Sequence, residues 1–247
     1  MNLILVDPGE LRPDGTVVFR GDRRCRHLNQ VLGSRPGDTV RLGQVNGPLG
    51  TGRLLAISPE EAVLAATWQP DPPALPPVDL ILALPRPIML QRILAQAAAQ
   101  GVGRIYLINA NRVEKSFFQA TLLREEAFVE HLRHGLEQAV DTRLPEVTVH
   151  PRFRPFVEDV LPGLTPVYAH LLLAHPGAAE WLPAAAPPPL SGRVLLALGP
   201  EGGWVDFEVD KFREQKLRPF SMGTRILRLE TAVVALLAQL DLLRQWR

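Results

Sequence analysis

The sequence predicts an α/β protein in which a mostly parallel sheet, covered by helices, follows a small β-barrel. After residue 78, apolar strand-like runs alternate with segments whose apolar residues recur at helical spacing, a pattern typical of a parallel sheet with helices on both faces. Before residue 70, short runs rich in β-forming residues are separated by turn signals. These two observations indicate two separately folded regions.

The amino-terminal region is predicted to hold one short helix among its strands. The predicted helix covers residues 26–32, because Leu28, Val31 and Leu32 have helical spacing and Gly33 follows them where a helix would end. The predicted strands cover residues 3–6, 16–19, 39–42 and 62–64.

Five prolines between residues 70 and 77 predict an extended, semi-rigid connection between elements that fold separately. We therefore expect a first domain at 1–70, a linker at 71–77 and a second domain at 78–247. In the second domain the proline cluster at 183–189 is typical of a surface loop. The predicted strands are 78–84, 104–109, 147–150, 167–174 and 194–198, and the predicted helices are 88–100, 117–140, 206–215 and 229–246.

Composition narrows the classes of function. The formal net charge is only +1, but six arginines accompany only two aspartates between residues 20 and 41, which favours a local anionic partner. A single cysteine, Cys25, excludes a disulfide within the chain and fits a cytoplasmic protein. The amino terminus lacks a secretion signal, and no apolar run reaches the ~20 residues that span a bilayer.

Several catalytic motifs are absent from the sequence. The chain has no phosphate-binding P-loop and no His-Glu-x-x-His pattern, so we expect neither a P-loop nucleotidase nor a metal site. Gly101 and Gly103 follow a predicted helix instead of a strand, which indicates a helix C-cap and not a dinucleotide site.

A glycine-rich turn at 199–203 follows the apolar run 194–198. Three glycines in five residues let backbone N–H groups approach a ligand closely. In a parallel sheet, ligands bind at the carboxyl ends of strands, and this turn lies at such an end. The segment 175–177 is predicted to form a neighbouring loop.

Charged residues Arg225, Arg228 and Glu230 stand at the mouth of the apolar segment 229–243. They suit an ordinary helix start, because a carboxylate in the first turn is stabilised by the helix dipole. They equally suit a functional site. For His27 two interpretations also stay open: it contacts RNA, or it is a surface or half-buried histidine of a short helix.

The stretches Leu-Gly-Pro-Glu-Gly-Gly at 198–203 and Met-Gly-Thr-Arg-Ile-Leu-Arg-Leu-Glu-Thr-Ala at 222–232 together resemble the RsmE family. These are uridine-N3 methyltransferases of small-subunit ribosomal RNA within the SPOUT superfamily. Weaker resemblances at 26–38 and 101–112 extend the match over the whole chain. The resemblance implies a trefoil-knotted SPOUT methyltransferase domain after a PUA-like β-barrel that binds RNA.

The resemblance also implies a cofactor, partners and site residues. S-adenosyl-L-methionine would lie between three loops, in a homodimer whose active site is at the interface, and the substrate would be 16S rRNA, free or within the 30S subunit. The implied cofactor-binding residues are Leu173, Ala174, Leu198, Gly199, Pro200, Glu201, Gly202, Gly203, Ser221, Met222, Gly223, Ile226, Leu227 and Leu229. The implied RNA contacts are Arg23, Arg24, Arg26, His27 and Arg35.

Uridine N3 must lose its proton as it attacks the methyl group, and loss of the proton leaves negative charge on the base carbonyls. A guanidinium from Arg225 or Arg228 would stabilise that charge, while the other arginine would hold a phosphate or pair with Glu201 or Glu230. We therefore expect Arg225, Arg228 and Glu230 to be catalytic, with solvent as the base.

The chain departs from the family pattern at Gly33, Ala99 and Asp141, which weakens the RNA side of the resemblance more than the cofactor side. Two alternatives stay open. One is a knotted RNA-binding or ribosome-assembly protein without catalysis, and the other is a SPOUT methyltransferase that acts on a different RNA or on a protein.

Overall fold

The computed structural model of the protein describes residues 2–246, apart from the side chains at positions 122 and 125. The chain forms two compact units, Met1–Leu75 with Arg133–Leu144, and Pro76–Leu132 with Pro145–Arg247. The first break in the chain between them therefore falls inside the predicted linker. The segment 133–144, however, was assigned to the second domain by the sequence analysis.

This segment packs with the first unit through backbone and side-chain hydrogen bonds. The amides of Asn2 and Leu3 both donate to the carbonyl of Glu137, at 3.2 and 3.1 Å. The hydroxyl of Thr142 donates to the carbonyl of Gly47 at 2.6 Å. Periodicity within a helix does not reveal which unit its end packs against, so the sequence could not place this segment.

A five-stranded sheet forms the first unit, in the order β1-β3-β4-β5-β2. β1 pairs with β3 in parallel, and the other neighbours are antiparallel. The strands are β1 (Ile4–Val6), β2 (Thr16–Arg20), β3 (Thr39–Gln44), β4 (Leu49–Ile57) and β5 (Glu61–Trp68).

Strand β4 was not predicted, because its glycines hide the β-forming pattern. They allow close packing in the sheet, since a Cβ at Gly50 would lie 2.3 Å from the carbonyl oxygen of Thr67. The predicted helix begins earlier than residue 26, as α1 (Arg23–Arg26), because Asp22 accepts from the amides of Arg24 and Cys25. It continues as a π-helical turn, His27–Val31.

The second unit contains a six-stranded parallel sheet with the order β11-β9-β10-β6-β7-β8. Its strands are β6 (Val78–Ala83), β7 (Val102–Ile108), β8 (Glu146–His150), β9 (His170–Ala174), β10 (Val194–Leu198) and β11 (Arg218–Phe220). The five predicted strands are confirmed: the bounds of 194–198 are unchanged, and the ends of the other four differ by at most three residues. The three-residue strand β11 was missed.

The helices are α2 (Pro87–Ala99), α3 (Glu125–Ala139), α4 (Phe153–Pro155), α5 (Leu161–Leu164), α6 (Leu182–Ala185), α7 (Asp206–Glu214) and α8 (Leu229–Gln245). The predicted helix 117–140 is wrong in its first third, where two 3₁₀ turns lie instead. Ala120 and Arg124 have extended backbones there, which interrupt the helix. Helix α6 lies within the predicted proline-rich loop.

The strand order determines where loops converge. From β6 the chain first adds β7 and β8 on one side of the sheet, and then places β9, β10 and β11 on the other side, with β10 between β9 and β6. The carboxyl ends of the three neighbours β11, β9 and β10 therefore lie at one edge of the sheet, and α8 packs against α2. Such a change in strand order is where open α/β sheets bind ligands.

A buried carboxylate lies at the opposite edge of the parallel sheet, where strands β6, β9 and β10 begin. Asp79 at the start of β6 is fully buried and accepts hydrogen bonds from the Tyr168 hydroxyl at 2.5 Å and from Arg193 at 2.6 Å. Burial and this hydrogen bond raise the pKa of Tyr168. Tyr168 and Arg193 stand just before β9 and β10, so the cluster links the starts of three strands.

No helix within residues 2–246 is long and apolar enough to cross a membrane.

Candidate active site

A cavity of about 250 Å³ lies at the carboxyl edge of the parallel sheet. The loops after β9, β10 and β11 line it, together with the first turns of α8. We call these loops the first, second and third loop. Every residue implied to bind a cofactor lines this cavity except Leu173, whose side chain is buried inside β9.

Backbone hydrogen bonds join the first and third loops. The amide of His175 donates to the carbonyl of Phe220 at 2.9 Å. Ser221 exchanges backbone bonds with the segment before α6, receiving the amide of Leu182 at 3.2 Å and donating to the carbonyl of Glu180 at 2.8 Å. The start of the third loop is therefore fixed, while its tip at Ile226 is 85% exposed.

The second loop is shaped by its glycines. Gly203 has a φ of +74° and donates its amide to the carbonyl of Pro200 at 2.7 Å, which closes a tight turn. Gly199 leaves room for a buried aromatic ring, since a Cβ there would lie 3.2 Å from the indole of Trp204. Trp204 in turn packs edge-on against Phe212 of α7.

Gly202 has a different reason for lacking a side chain. A Cβ at Gly202 would lie 2.9 Å from Cδ of Arg112, and the guanidinium of Arg112 donates to the carbonyl of Gly202. The side chain of Arg112 thus covers the outer side of the second loop. Gly202 is needed for this contact as well as for any approach of backbone to a ligand.

A buried carboxylate holds the second loop from below. Glu208 on α7 is almost fully buried and accepts from the amides of Asn111 at 2.6 Å and Val205 at 3.0 Å. Asn111 follows β7, so the carboxylate connects the loop after β7 to the start of α7. Sequence reasoning missed Arg112 and Glu208, although the strand-end rule applied to β7 would have found the first.

The charged residues of the third loop are separated by the structure. Arg225 lines the cavity, whereas Arg228 occupies the N-cap position of α8 and Glu230 its first turn, both outside the cavity lining. Within residues 2–246 neither arginine side chain makes an ion pair or hydrogen bond, which leaves the phosphate contact as the alternative of the two that we retain. Arg225 remains free to meet a charged ligand.

The structure argues against Arg24 as an RNA contact. Its guanidinium is buried between Glu10 and Asp22, at 2.5 Å from each, and also donates to the carbonyl of Leu5 at 2.8 Å. Arg23 makes a two-pronged pair with Glu137 at 2.7 and 2.8 Å. Both guanidiniums are thus engaged inside the first unit.

The other implied RNA contacts are more accessible. Arg26 and Arg35 are exposed, and their guanidiniums have no ion-pair partner within the described part of the chain. His27 is half-buried, which lowers the pKa of its imidazole, and its Nε2 is buried without a hydrogen-bond partner. His27 therefore has the character of a packed histidine.

The cavity has both apolar and polar walls. Phe220, Leu229 and Leu236 supply apolar surface. Nδ1 of His175 and Nε1 of Trp204 are buried without partners in the described structure. These walls suit a ligand with a flat apolar part and several polar groups. Among residues 2–246, no three histidine, cysteine, aspartate or glutamate side chains are grouped so as to hold a metal ion.

Comparison with known proteins agrees with this geometry. A family model described as an RNA methyltransferase domain matches residues 72–241, the region that contains the parallel sheet and the three-loop cavity. This match identifies the class of protein as an RNA methyltransferase. Ribosomal RNA small subunit methyltransferase E of Treponema pallidum (strain Nichols) is 33% identical over 242 residues, covering 95% of this chain and 88% of that protein. The chain therefore belongs to the ribosomal RNA small subunit methyltransferase E family.

A second curated relative agrees with that membership, and a solved structure shares the fold. The Synechocystis protein of the same name is 28% identical over 221 residues, which cover 89% of this chain and 71% of that protein. A crystal structure of ribosomal RNA small subunit methyltransferase E from Neisseria gonorrhoeae bound to S-adenosyl methionine has a TM-score of 0.80 and 24% identity. It covers 98% of each chain, and this likeness shows a shared α/β methyltransferase fold.

Proposed function

We propose that the protein transfers a methyl group from S-adenosyl-L-methionine to N3 of a specific uridine in 16S rRNA of the small ribosomal subunit. The observation that carries this proposal is that one cavity is lined both by the glycine-rich second loop and by Arg225, whose guanidinium has no ion-pair partner in the described part of the chain. The cofactor named for the Neisseria structure supports it.

The cavity fits this cofactor in shape and chemistry. Phe220, Leu229 and Leu236 would pack on its adenine ring, and backbone amides of the second loop would hold its polar groups. His175 and Trp204 supply two further nitrogens that lack partners within the described residues. When bound, the cofactor supplies an electrophilic methyl group on a positively charged sulfur.

The protein's own residues would act on the uridine. The N3–H proton leaves to solvent as N3 forms a bond to the methyl carbon, while the methyl–sulfur bond breaks and its electrons stay on sulfur. Negative charge develops on the base carbonyl oxygens as the proton leaves, and it is lost again when the bond to the methyl carbon is complete. Arg225 stabilises it, because a guanidinium is a fixed positive charge whose N–H groups fit a carbonyl oxygen. Arg228, outside the cavity lining, would hold a phosphate of the RNA.

The wider organisation belongs to the same proposal. We infer that the first unit is a PUA-like barrel that contributes exposed Arg26 and Arg35 to RNA binding, while Arg23 and Arg24 act structurally. We also infer a trefoil knot around the three loops, a homodimer, and action in the cytoplasm on 16S rRNA within the 30S subunit. The mixed sheet of the first unit supports the barrel, and the change of strand order in the second unit supports the knot.

The test has two parts. Titration calorimetry with S-adenosylhomocysteine is expected to show binding, and absence of binding would exclude the enzyme and favour an RNA-binding or assembly protein. Small subunits from a deletion strain are then incubated with the protein and cofactor, and their RNA is digested for mass spectrometry. Appearance of N3-methyluridine supports the proposal, whereas methylation of another base, another RNA or a protein contradicts its substrate.

A further inference from the structure

An aromatic–arginine stack stands on the surface of the second unit, outside the cavity. Phe207 is 42% exposed, and the guanidinium carbon of Arg154 lies 4.9 Å from the centre of its ring. Phe153 packs beside Phe207, with ring centres 6.2 Å apart, and meets the buried Phe212 edge-on at 5.4 Å. The exposed ring therefore rests on a packed aromatic base.

Arg154 is available for an anion. Its side chain is exposed, and it forms no ion pair within the described part of the chain. A guanidinium that lies over an aromatic ring keeps its N–H groups free at the edge, where they can meet a phosphate. The remaining exposed part of Phe207 and the outer plane of the guanidinium are both surfaces on which a nucleic-acid base can stack.

This stack is continuous with the cavity through short contacts. Phe207 lies in the first turn of α7, directly after the second loop, and the next residue, Glu208, accepts from the amide of Asn111. The following residue, Arg112, contacts Gly202 of the cavity wall. Arg112 is therefore a second basic side chain beside the second loop.

We propose that the stack binds single-stranded RNA next to the target nucleotide: a neighbouring base stacks on Phe207 and Arg154, and Arg154 holds a phosphate. This inference rests on the proposed function. A base must leave its own stack to place N3 in a cavity, which unstacks its neighbours and leaves them in need of a new surface. Positive charge and an exposed aromatic ring fit RNA better than they fit an apolar partner.

The test compares Phe207→Ala, Phe207→Leu and Arg154→Ala with the unchanged protein. Fluorescence anisotropy measures binding of a labelled single-stranded oligouridylate at several salt concentrations. Loss of one stacked base is expected to weaken binding by about 5- to 150-fold, and Phe207→Leu by less. Arg154→Ala is expected to lower the salt slope by about 0.7, the value for one phosphate contact on a single strand. Calorimetry with S-adenosylhomocysteine is expected to give unchanged affinity for all three.

Two matched controls lie elsewhere on the second unit. Arg104 stands at the start of β7, at the opposite edge of the sheet, and pairs with Glu146 at 3.2 Å. Trp246 follows α8 and is 55% exposed. Arg104→Ala and Trp246→Ala are expected to leave both RNA affinity and salt slope unchanged, so an equal effect in these controls would overturn the assignment.

The outcomes separate this inference from the proposed function. If the unchanged protein fails to bind S-adenosylhomocysteine, the proposed function fails. If it binds, but all three stack variants bind the oligonucleotide with unchanged affinity, the stack is not an RNA surface. If Phe207→Leu loses cofactor affinity as much as RNA affinity, the ring merely supports the second loop, which also overturns the inference.

Discussion

Two pairs of arginines that look alike in the sequence have opposite surroundings in the structure. Arg23 and Arg24 lie in the first unit with carboxylates against both guanidiniums. Arg225 and Arg228 lie on an exposed loop, with no ion-pair partner among residues 2–246. The number of arginines in a stretch of sequence therefore does not show whether an arginine stabilises the fold or is available to bind a ligand. What distinguishes them is whether the fold supplies a carboxylate.

The electrostatics of Arg24 show how strongly it is held. Burial alone would lower the pKa of its guanidinium, but hydrogen bonds and charges from Glu10 and Asp22 outweigh burial and raise the pKa. The guanidinium carbon also lies 4.2 Å from the centre of the Phe19 ring. Arg24 therefore links the first strand, the helix cap and the core of its unit.

The largest effect on stability is expected from Arg24→Ala. Removing this cation leaves two carboxylates without their partner, and breaking a buried pair costs about 3–5 kcal/mol. Urea unfolding is expected to show a loss toward the lower end of that range, because both carboxylates are partly exposed. Arg225→Ala is the control, with a change below about 0.5 kcal/mol. Equal stability of the two variants would break the comparison between the arginine pairs.

The next effect concerns turnover. Arg225→Ala is expected to lower kcat by about 10²–10³, because it removes one group that stabilises charge developing in the transition state. Arg228→Ala is expected to raise KM with little change in kcat, since it loses a phosphate contact. Methylation of small subunits with radiolabelled cofactor measures both constants. A larger kcat loss for Arg228→Ala would exchange their proposed roles.

A smaller effect is expected from Gly202→Ala. The added methyl would displace Arg112, so affinity for S-adenosylhomocysteine should fall about fivefold, or roughly 1 kcal/mol. In a protein that already carries Arg112→Ala, the same change should have no further effect, because the group it displaces is gone. Calorimetry with S-adenosylhomocysteine on the unchanged protein, the two single variants and the double variant measures whether the two changes affect affinity independently. Additive losses would mean that the methyl acts on the ligand directly.

The smallest effect is a dependence of stability on pH in the second unit. The ring centres of His150 and Phe156 lie 4.7 Å apart, and burial lowers the pKa of the His150 imidazole below the ordinary 6.5. The unfolded chain then binds the proton more readily, so stability should fall as pH drops from about 6.5 through the lowered pKa. His150→Gln should remove this part of the pH dependence in thermal unfolding. An unchanged slope would show that His150 does not contribute.

The sequence predicted the central strands of the parallel sheet better than the edges of the fold. The run 194–198 and its glycine turn were correctly placed at the carboxyl edge of a parallel sheet, because strand alternation and glycine geometry are local properties. Strand β4 and the turns around Ala120 escaped prediction, since sheet partners and a single extended residue decide them. The roles of Arg24 and Arg112 depend on contacts with residues far away in the chain, which local patterns do not encode.

The three loops that line the cavity follow strands that differ in how many neighbouring strands they pair with. β9 and β10 are interior strands, paired on both sides, whereas β11 is an edge strand of three residues whose sheet partner among residues 2–246 is β9. Opening a short edge strand requires breaking few hydrogen bonds, so its amides should exchange with solvent earlier than those of β10. Ser221, the residue after β11, is held by backbone hydrogen bonds to Glu180 and Leu182, so we expect opening to be confined to the exposed part of the third loop that carries Arg225.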